Sequence, residues 1–266
     1  MTAEEISRAA GRLHDAERQR SQIGLLSLEY SDLTISDAYR IQGELVAIWV
    51  AEGRRQIGWK IGLTSRAMQL ALGITTPDSG VLFDDMLFKD GCSVPKGRFI
   101  APRIEAEIAF VLKAPLKGVG LGRDEVAAAL ECAVPALEIL DTRIRRKDPE
   151  SGAARNVCDT IADNAANAGL VLGPEQHPID GLDLRRVGVI VERNGEVEET
   201  GLGAGVLNDP LIAVSWLASR LEQVGAGMRE GDIILSGSFI RPIEAVPGSE
   251  FQADFGEFGS VGISFM

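Results

Sequence analysis

Two glutamates, Glu105 and Glu107, sit in a strand-like run, Pro102-Arg103-Ile104-Glu105-Ala106-Glu107-Ile108-Ala109-Phe110-Val111, and a third, Glu138, stands alone in the apolar run Ala133-Val134-Pro135-Ala136-Leu137-Glu138-Ile139-Leu140. If both runs are β-strands, side chains alternate between faces, so Glu105 and Glu107 point the same way, about 6.5–7 Å apart. Three carboxylates converging in an apolar surround would repel and take up protons unless a hard cation offset their charge. Oxygen-only ligation favours magnesium, manganese or calcium. On spacing alone, the competing reading is a solvated strand face. The neighbours lean the other way: the Glu105 face continues into Ala109 and Val111, and Glu138 is flanked by Leu137 and Ile139, a poor setting for an unpaired charge.

Two further residues are candidates for moving protons. Lys60 lies at the centre of Gly58-Trp59-Lys60-Ile61-Gly62-Leu63-Thr64-Ser65. Facing inward, it could stabilise an enolate or carry a proton, with desolvation lowering its pKa; at an edge it would snorkel to solvent. The amides of Leu63 to Ser65, at the start of an expected helix, suit a carboxylate. Asp78, in Thr75-Thr76-Pro77-Asp78-Ser79-Gly80, is either a base or a turn former. The chain has two histidines, His14 and His177, and neither adjoins a strand-end nucleophile motif, so acid and base chemistry must rest on lysine, aspartate, glutamate or water. Gly201-Leu202-Gly203-Ala204-Gly205 follows a hairpin and does not lead a strand into a helix, which sets dinucleotide binding aside.

The elements that must position these groups follow from periodicity. Residues 2–21 read as an amphipathic helix with Thr2 and Glu5 at capping-box spacing and Ile6, Ala9, Ala10, Leu13 and Ala16 on one side. A second helix is expected over 36–52, stopped by Gly53. From Gln56 onward strands are expected at 57–63, 81–88, 104–113, 133–141, 168–173, 185–193, 231–238, 250–255 and 260–266, with Asn194-Gly195 as a type I′ hairpin turn. Helices fit at 65–72, 123–131 and 209–224. The pattern is α+β, a mixed β roll or barrel-like sandwich: a helical N-terminal layer over 1–55 and a β-rich catalytic part over 56–266.

Composition excludes several classes. A net charge of −12 argues against a nucleic-acid partner, although not against a small anion bound at a local site. No run of about eighteen apolar residues is present, and Met1 to Glu5 forms neither a basic nor an apolar leader, so the expectation is a cytoplasmic protein with no membrane partner. Cys92, Cys132 and Cys158 lack any Cys-x-x-Cys pair and are expected to be packing residues.

Six blocks carry a resemblance over nearly the whole chain: Trp59-Lys60-Ile61-Gly62-Leu63-Thr64-Ser65, Pro77-Asp78-Ser79-Gly80, Arg103-Ile104-Glu105-Ala106-Glu107, Ala136-Leu137-Glu138-Ile139, Asp163-Asn164-Ala165-Ala166-Asn167 and Gly231-Asp232-Ile233-Ile234-Leu235-Ser236-Gly237. Their order and spacing resemble the 2-keto-4-pentenoate hydratase family of the fumarylacetoacetate hydrolase superfamily. The long segment 143–163 looks like the 2-oxohept-4-ene-1,7-dioate hydratase branch of the homoprotocatechuate pathway. The resemblance implies magnesium or manganese on Glu105, Glu107 and Glu138, with Lys60 and Asp78 as acid/base residues. It also implies water addition to a 2-hydroxy-2,4-dienoate, giving a 4-hydroxy-2-oxo acid in aromatic catabolism. Leu63 and Ser238 are the expected contacts for the C1 carboxylate, Asp163 and Asn164 for ordering the site, and Arg143, with Arg145, Arg146 and Arg155 as alternatives, for a distal carboxylate. Homo-oligomers, pentamers or decamers, are the family's habit. 4-Oxalocrotonate decarboxylase resembles the chain in the same blocks, while hydrolases of the superfamily generally use a histidine that is missing from these motifs. A catalytically silent binding protein would have no need to gather Glu105, Glu107, Glu138 and Lys60.

Overall fold

Thr2 accepts a hydrogen bond from the Glu5 amide, and the Glu5 carboxylate accepts one from the Thr2 amide, closing the expected capping box. This starts the first helix of a computed structural model that describes residues 1–72 and 74–266, the side chains of Met68, Ala71 and Leu72 excepted. In chain order the elements are α1 (Ala3–Gln19), α2 (Leu26–Glu29), α3 (Ile35–Ala51), β1 (Gln56–Gly62), α4 (Arg66–Leu72), β2 (Asp78–Phe83), β3 (Leu87–Phe88), β4 (Ser93–Val94), β5 (Arg103–Leu112), α5 (Arg123–Ala129), β6 (Leu130–Leu140), α6 (Val157–Ala162), β7 (Asn167–Leu172), β8 (Gly188–Arg193), β9 (Glu196–Leu202), α7 (Pro210–Glu222), β10 (Ile233–Leu235), β11 (Ile243–Glu244), β12 (Glu250–Asp254) and β13 (Ser260–Phe265).

Two sheets form. The larger has the order β2-β1-β10-β5-β6-β7-β3, with β11 pairing the start of β5; the smaller has the order β4-β13-β12-β8-β9. Most neighbours are antiparallel, while β1 with β10, β3 with β7 and β4 with β13 are parallel, so this is the mixed α+β arrangement the sequence implied. The hairpin turn between β8 and β9 has positive φ at both Asn194 and Gly195, as a type I′ turn requires.

Alternation along β5 divides the interior. Ile104, Ala106, Ile108 and Phe110 face a core shared with the smaller sheet, α5 and α7, whereas Ala109 and Val111 face a second core roofed by α1, α3 and α6. The second core takes Ile6, Ala9, Ala10 and Leu13 from α1 and Ile41, Leu45 and Trp49 from α3. Trp49 meets Phe83 of β2 edge-on at 5.5 Å, so residues 1–55 share a core with the strands beneath them.

The structure departs from the expected elements in places that matter for the site. The strand expected over 81–88 is broken by a 3₁₀ turn at Asp84–Met86, and its first half begins earlier, at Asp78. Asp78 therefore heads a buried strand, paired with Gly62, and is not a turn former. Helices α2 and α6 were not expected. The second of these is capped by Asn156, which accepts from the Cys158 and Asp159 amides while Asp159 accepts from the Asn156 amide. Pro135 lies inside β6, opposite Ile108; its carbonyl accepts from Gly173, just past the end of β7, so its nitrogen faces the side where ladder pairing has stopped.

Candidate active site

The β5–β6 register places Glu105 directly opposite Glu138 and Glu107 opposite Ala136, on the face of the sheet that elsewhere carries Ala109, Val111 and Val134. The three carboxylates offer ligand oxygens that all lie within 4.8 Å of one another. Glu107 and Glu138 are fully buried. Each has one oxygen satisfied: Glu107 Oε2 accepts the Gly237 amide at 2.8 Å, and Glu138 Oε1 accepts Asn167 Nδ2 at 2.7 Å. The other oxygen of each, Glu107 Oε1 and Glu138 Oε2, has no hydrogen-bond partner. A buried carboxylate oxygen without a donor is costly, and an all-oxygen set of three carboxylates suits a hard divalent cation. The residues present thus fit the metal that the resemblance implies.

Lys60 occupies the adjoining position. It lies in β1 opposite Gly80 of β2 and Leu235 of β10, is 3% exposed, and reaches Glu138 Oε1 with Nζ at 3.4 Å. Beyond β10 the chain stays on β5, with Ser236 bonded to Ile108 and Phe239 to Ala106, and between them Gly237 presents its amide to Glu107. Gly237 has φ +112°, and a Cβ there would come within 2.2 Å of Thr64 Oγ1, so this close approach requires glycine. Asp78 is also fully buried, and its Oδ1 has no hydrogen-bond partner.

Charge balance corrects one expectation. Burial does pull the Lys60 ammonium downward, but Glu138, Asp78, Glu105 and Glu107 together outweigh it and hold the pKa above the ordinary lysine value. Lys60 is a persistent cation and hydrogen-bond donor in this setting, not a lysine made neutral by desolvation. The carboxyls shift the opposite way. Burial, reinforced by Glu138, pushes Glu105 up to about 8, and burial with Glu138 and Glu105 raises Glu107 well above the usual range. Burial also raises Asp78, against the pull of Lys60.

A cavity of about 270 Å³ opens onto this group, lined by Lys60, Asp78 and Glu105 and by Leu63, Thr64 and Ser238. Leu63 takes a left-handed backbone, φ 56°, at the turn from β1 toward α4. The Ser238 hydroxyl donates to the Ile240 carbonyl at 2.9 Å. Arg143, by contrast, does not line the cavity. It is 1% exposed; its Nε is paired with Asp163 Oδ1, and Nη2 donates to the carbonyls of Asp163 and Asn167. Its donors are consumed inside the protein, which corrects the expectation that it reaches a distal carboxylate. Asp163 is likewise occupied by Arg143, and Asn164 bonds the backbone of Val81 through both its amide nitrogen and its oxygen, tying the 164–166 turn to β2. Both support the site from behind and neither lines the cavity. Asn167, inside a matched block, is a site residue that spacing does not single out, because its donation to Glu138 depends on the β6–β7 register.

The chain belongs to the fumarylacetoacetate (FAA) hydrolase C-terminal family, whose model matches residues 73–263. It is 49% identical to the 2-oxo-hept-4-ene-1,7-dioate hydratase of Escherichia coli over 257 residues, 97% of this chain and 96% of the relative. It is 39% identical to the 2-keto-4-pentenoate hydratase of Paraburkholderia xenovorans (strain LB400) over 267 residues, 100% and 96% of the two chains. Among solved structures, 4-oxalocrotonate decarboxylase from Pseudomonas putida G7, complexed with magnesium and adipate, superposes with a TM-score of 0.94 at 33% identity, covering 100% of this chain and 99% of that one.

Proposed function

We propose that the chain is a divalent-metal-dependent hydratase that adds water to a 2-hydroxy-2,4-dienoate of the hepta-2,4-diene-1,7-dioate type, yielding a 4-hydroxy-2-oxo acid. The observation that carries this reading is the convergence of Glu105, Glu107 and Glu138, two of them with partnerless buried oxygens, beside the Lys60 ammonium at the base of the cavity. The 49% identity to a hydratase of that name supports the substrate class.

Magnesium or manganese, when held by the three glutamates, supplies Lewis acidity toward the 2-oxygen of the substrate. The chain's own residues supply the rest. The Leu63 amide holds the C1 carboxylate, together with the Ser238 hydroxyl once it turns from the Ile240 carbonyl toward the substrate. Lys60 Nζ delivers a proton to C5 and takes up the proton that the 2-hydroxyl gives up, so the 2-oxygen becomes a ketone oxygen and the double bond moves to C3–C4. Asp78 orients the water whose oxygen bonds to C4, accepts its proton and passes that proton to C3. The net change is one water gained. Asp163 and Asn164 hold the wall of the site in place and do not touch substrate. The reading extends to a cytoplasmic homo-oligomer, pentamer or decamer; light scattering after size exclusion returns the subunit number.

The test is mass spectrometry of the product after metal-stripped protein, with and without magnesium, meets 2-hydroxyhepta-2,4-dienedioate. A magnesium-dependent gain of one water is expected, with Lys60→Ala lowering turnover by roughly 10²–10⁴-fold. Magnesium-dependent loss of carbon dioxide would favour a decarboxylase, a second reading that the 0.94 TM-score to a 4-oxalocrotonate decarboxylase favours.

A further inference from the structure

Arginines gather at the carboxylate-lined cavity in a way that the hydration chemistry does not use. Arg103, Arg155 and Arg241 line it. Arg103 precedes Glu105 by two residues on β5, which places it on the same strand face, about 6.5–7 Å further along. That step is comparable to the reach of a seven-carbon chain beyond its 2-oxo end. Among the described residues Arg155 has no ion-pair partner, and its guanidinium makes one hydrogen bond, to Thr142 Oγ1 at 2.5 Å. Arg103 pairs with the exposed Glu244 at 2.8 Å, but its buried Nε has no partner. Arg146 lies close enough for mutual repulsion with both, and spends one donor on the Ala101 carbonyl. Arg103 and Arg146 share the Glu244 carboxylate at the surface, whereas the carboxylates acting on Arg155 are Asp163, Asp159 and Asp78, none of which it pairs with among the described residues. Partly buried guanidiniums with spare donors at a cavity wall suit an anion, and their planar fork matches a carboxylate.

We propose that Arg155 and Arg103, backed by Arg146, form a second carboxylate subsite that selects 2-oxo diacids over 2-oxo monoacids of the same length. The proposal rests on the reading above, in that the C1 end is held at the glutamate cluster. It assigns to Arg155 the distal role that the buried Arg143 cannot fill.

Calorimetry on the magnesium-loaded protein with 2-oxoheptanedioate and 2-oxoheptanoate tests it, since neither ligand carries the diene that hydration needs. The diacid is expected to bind at least about tenfold more tightly, the worth of a hydrogen-bonded charge pair. Arg155→Gln abolishes that preference while the monoacid affinity moves less than about threefold, and Arg155→Lys, which keeps charge but loses the fork, retains part of it. Equal affinity of the wild type for both ligands, or parallel loss of both in the variant, overturns the subsite. Should Arg155→Gln fail to fold, an unchanged preference in both Arg155→Lys and Arg103→Gln overturns it as well. A wild-type preference for the diacid in a protein that does not hydrate the seven-carbon dienol would end the hydratase reading and leave the subsite standing.

Discussion

Gly62 shows how tightly the proton-handling groups are set. A Cβ at this position would lie 2.2 Å from Asp78 Oδ1 and 2.9 Å from Lys60 Nζ, so the absence of a side chain is what lets the two heads approach each other. Both obstructing atoms end flexible side chains, so Gly62→Ala displaces the heads and leaves the backbone in place. We expect the variant to keep its fold and its magnesium affinity within about threefold, while kcat falls by about 10²-fold, the cost of misplacing reacting groups by about 1 Å. Circular dichroism, calorimetry and steady-state rates together check this. A variant as active as wild type would mean that Lys60 and Asp78 need not be adjacent.

The turn between α6 and β7 holds the wall behind Glu138. Asn164, Ala165 and Ala166 have φ of 50°, 52° and 58°, a left-handed run that L-residues adopt only at a cost. It is held by Asn164 on β2, by Arg143 across the Asp163 and Asn167 carbonyls, and by Trp49 of α3, whose ring lies 5.8 Å from the Arg143 guanidinium carbon. Removing the cation from this buried pair strands Asp163. Arg143→Ala is expected to lose about 3–5 kcal/mol in urea unfolding. If Arg143 were a substrate ligand instead, stability would hold and affinity for the diacid would fall. At this scale the sequence was legible where local chemistry decides: the capping box at Thr2, the alternation of β5 and the Asn-Gly turn all stand where expected. It was not legible where long-range pairing decides. Asp78 resembled a turn former because its neighbours are turn residues, yet pairing with Gly62 draws it into β2. Arg143 and Arg155 are both arginines in one irregular segment, and only tertiary contacts assign one to Asp163 and leave the other facing the cavity.

For the whole molecule, the buried carboxylates tie stability to pH and to metal. In the unfolded chain Glu105 titrates near its ordinary 4.5, whereas in the metal-free fold it titrates at about 8. Between those values the folded state holds a proton that the unfolded state has lost, so stability falls as pH rises through that window. Metal-free protein should therefore lose melting temperature from pH 5 to pH 8, and magnesium should flatten the decline while releasing protons on binding. Scanning fluorimetry across that range, with and without magnesium, reads both effects; a metal-free protein that gains stability with pH would contradict the burial of these groups. Glu105 and Glu138 face each other across one rung of the β5–β6 ladder, and their neighbours on either side point into a different core. A slip of one residue would turn Glu138 into the apolar core and bring Leu137 or Ile139 to the cavity. Cation affinity is thus a gauge of strand alignment: a variant that binds the ion as the wild type does has β5 and β6 in register, whatever else its substitutions have changed.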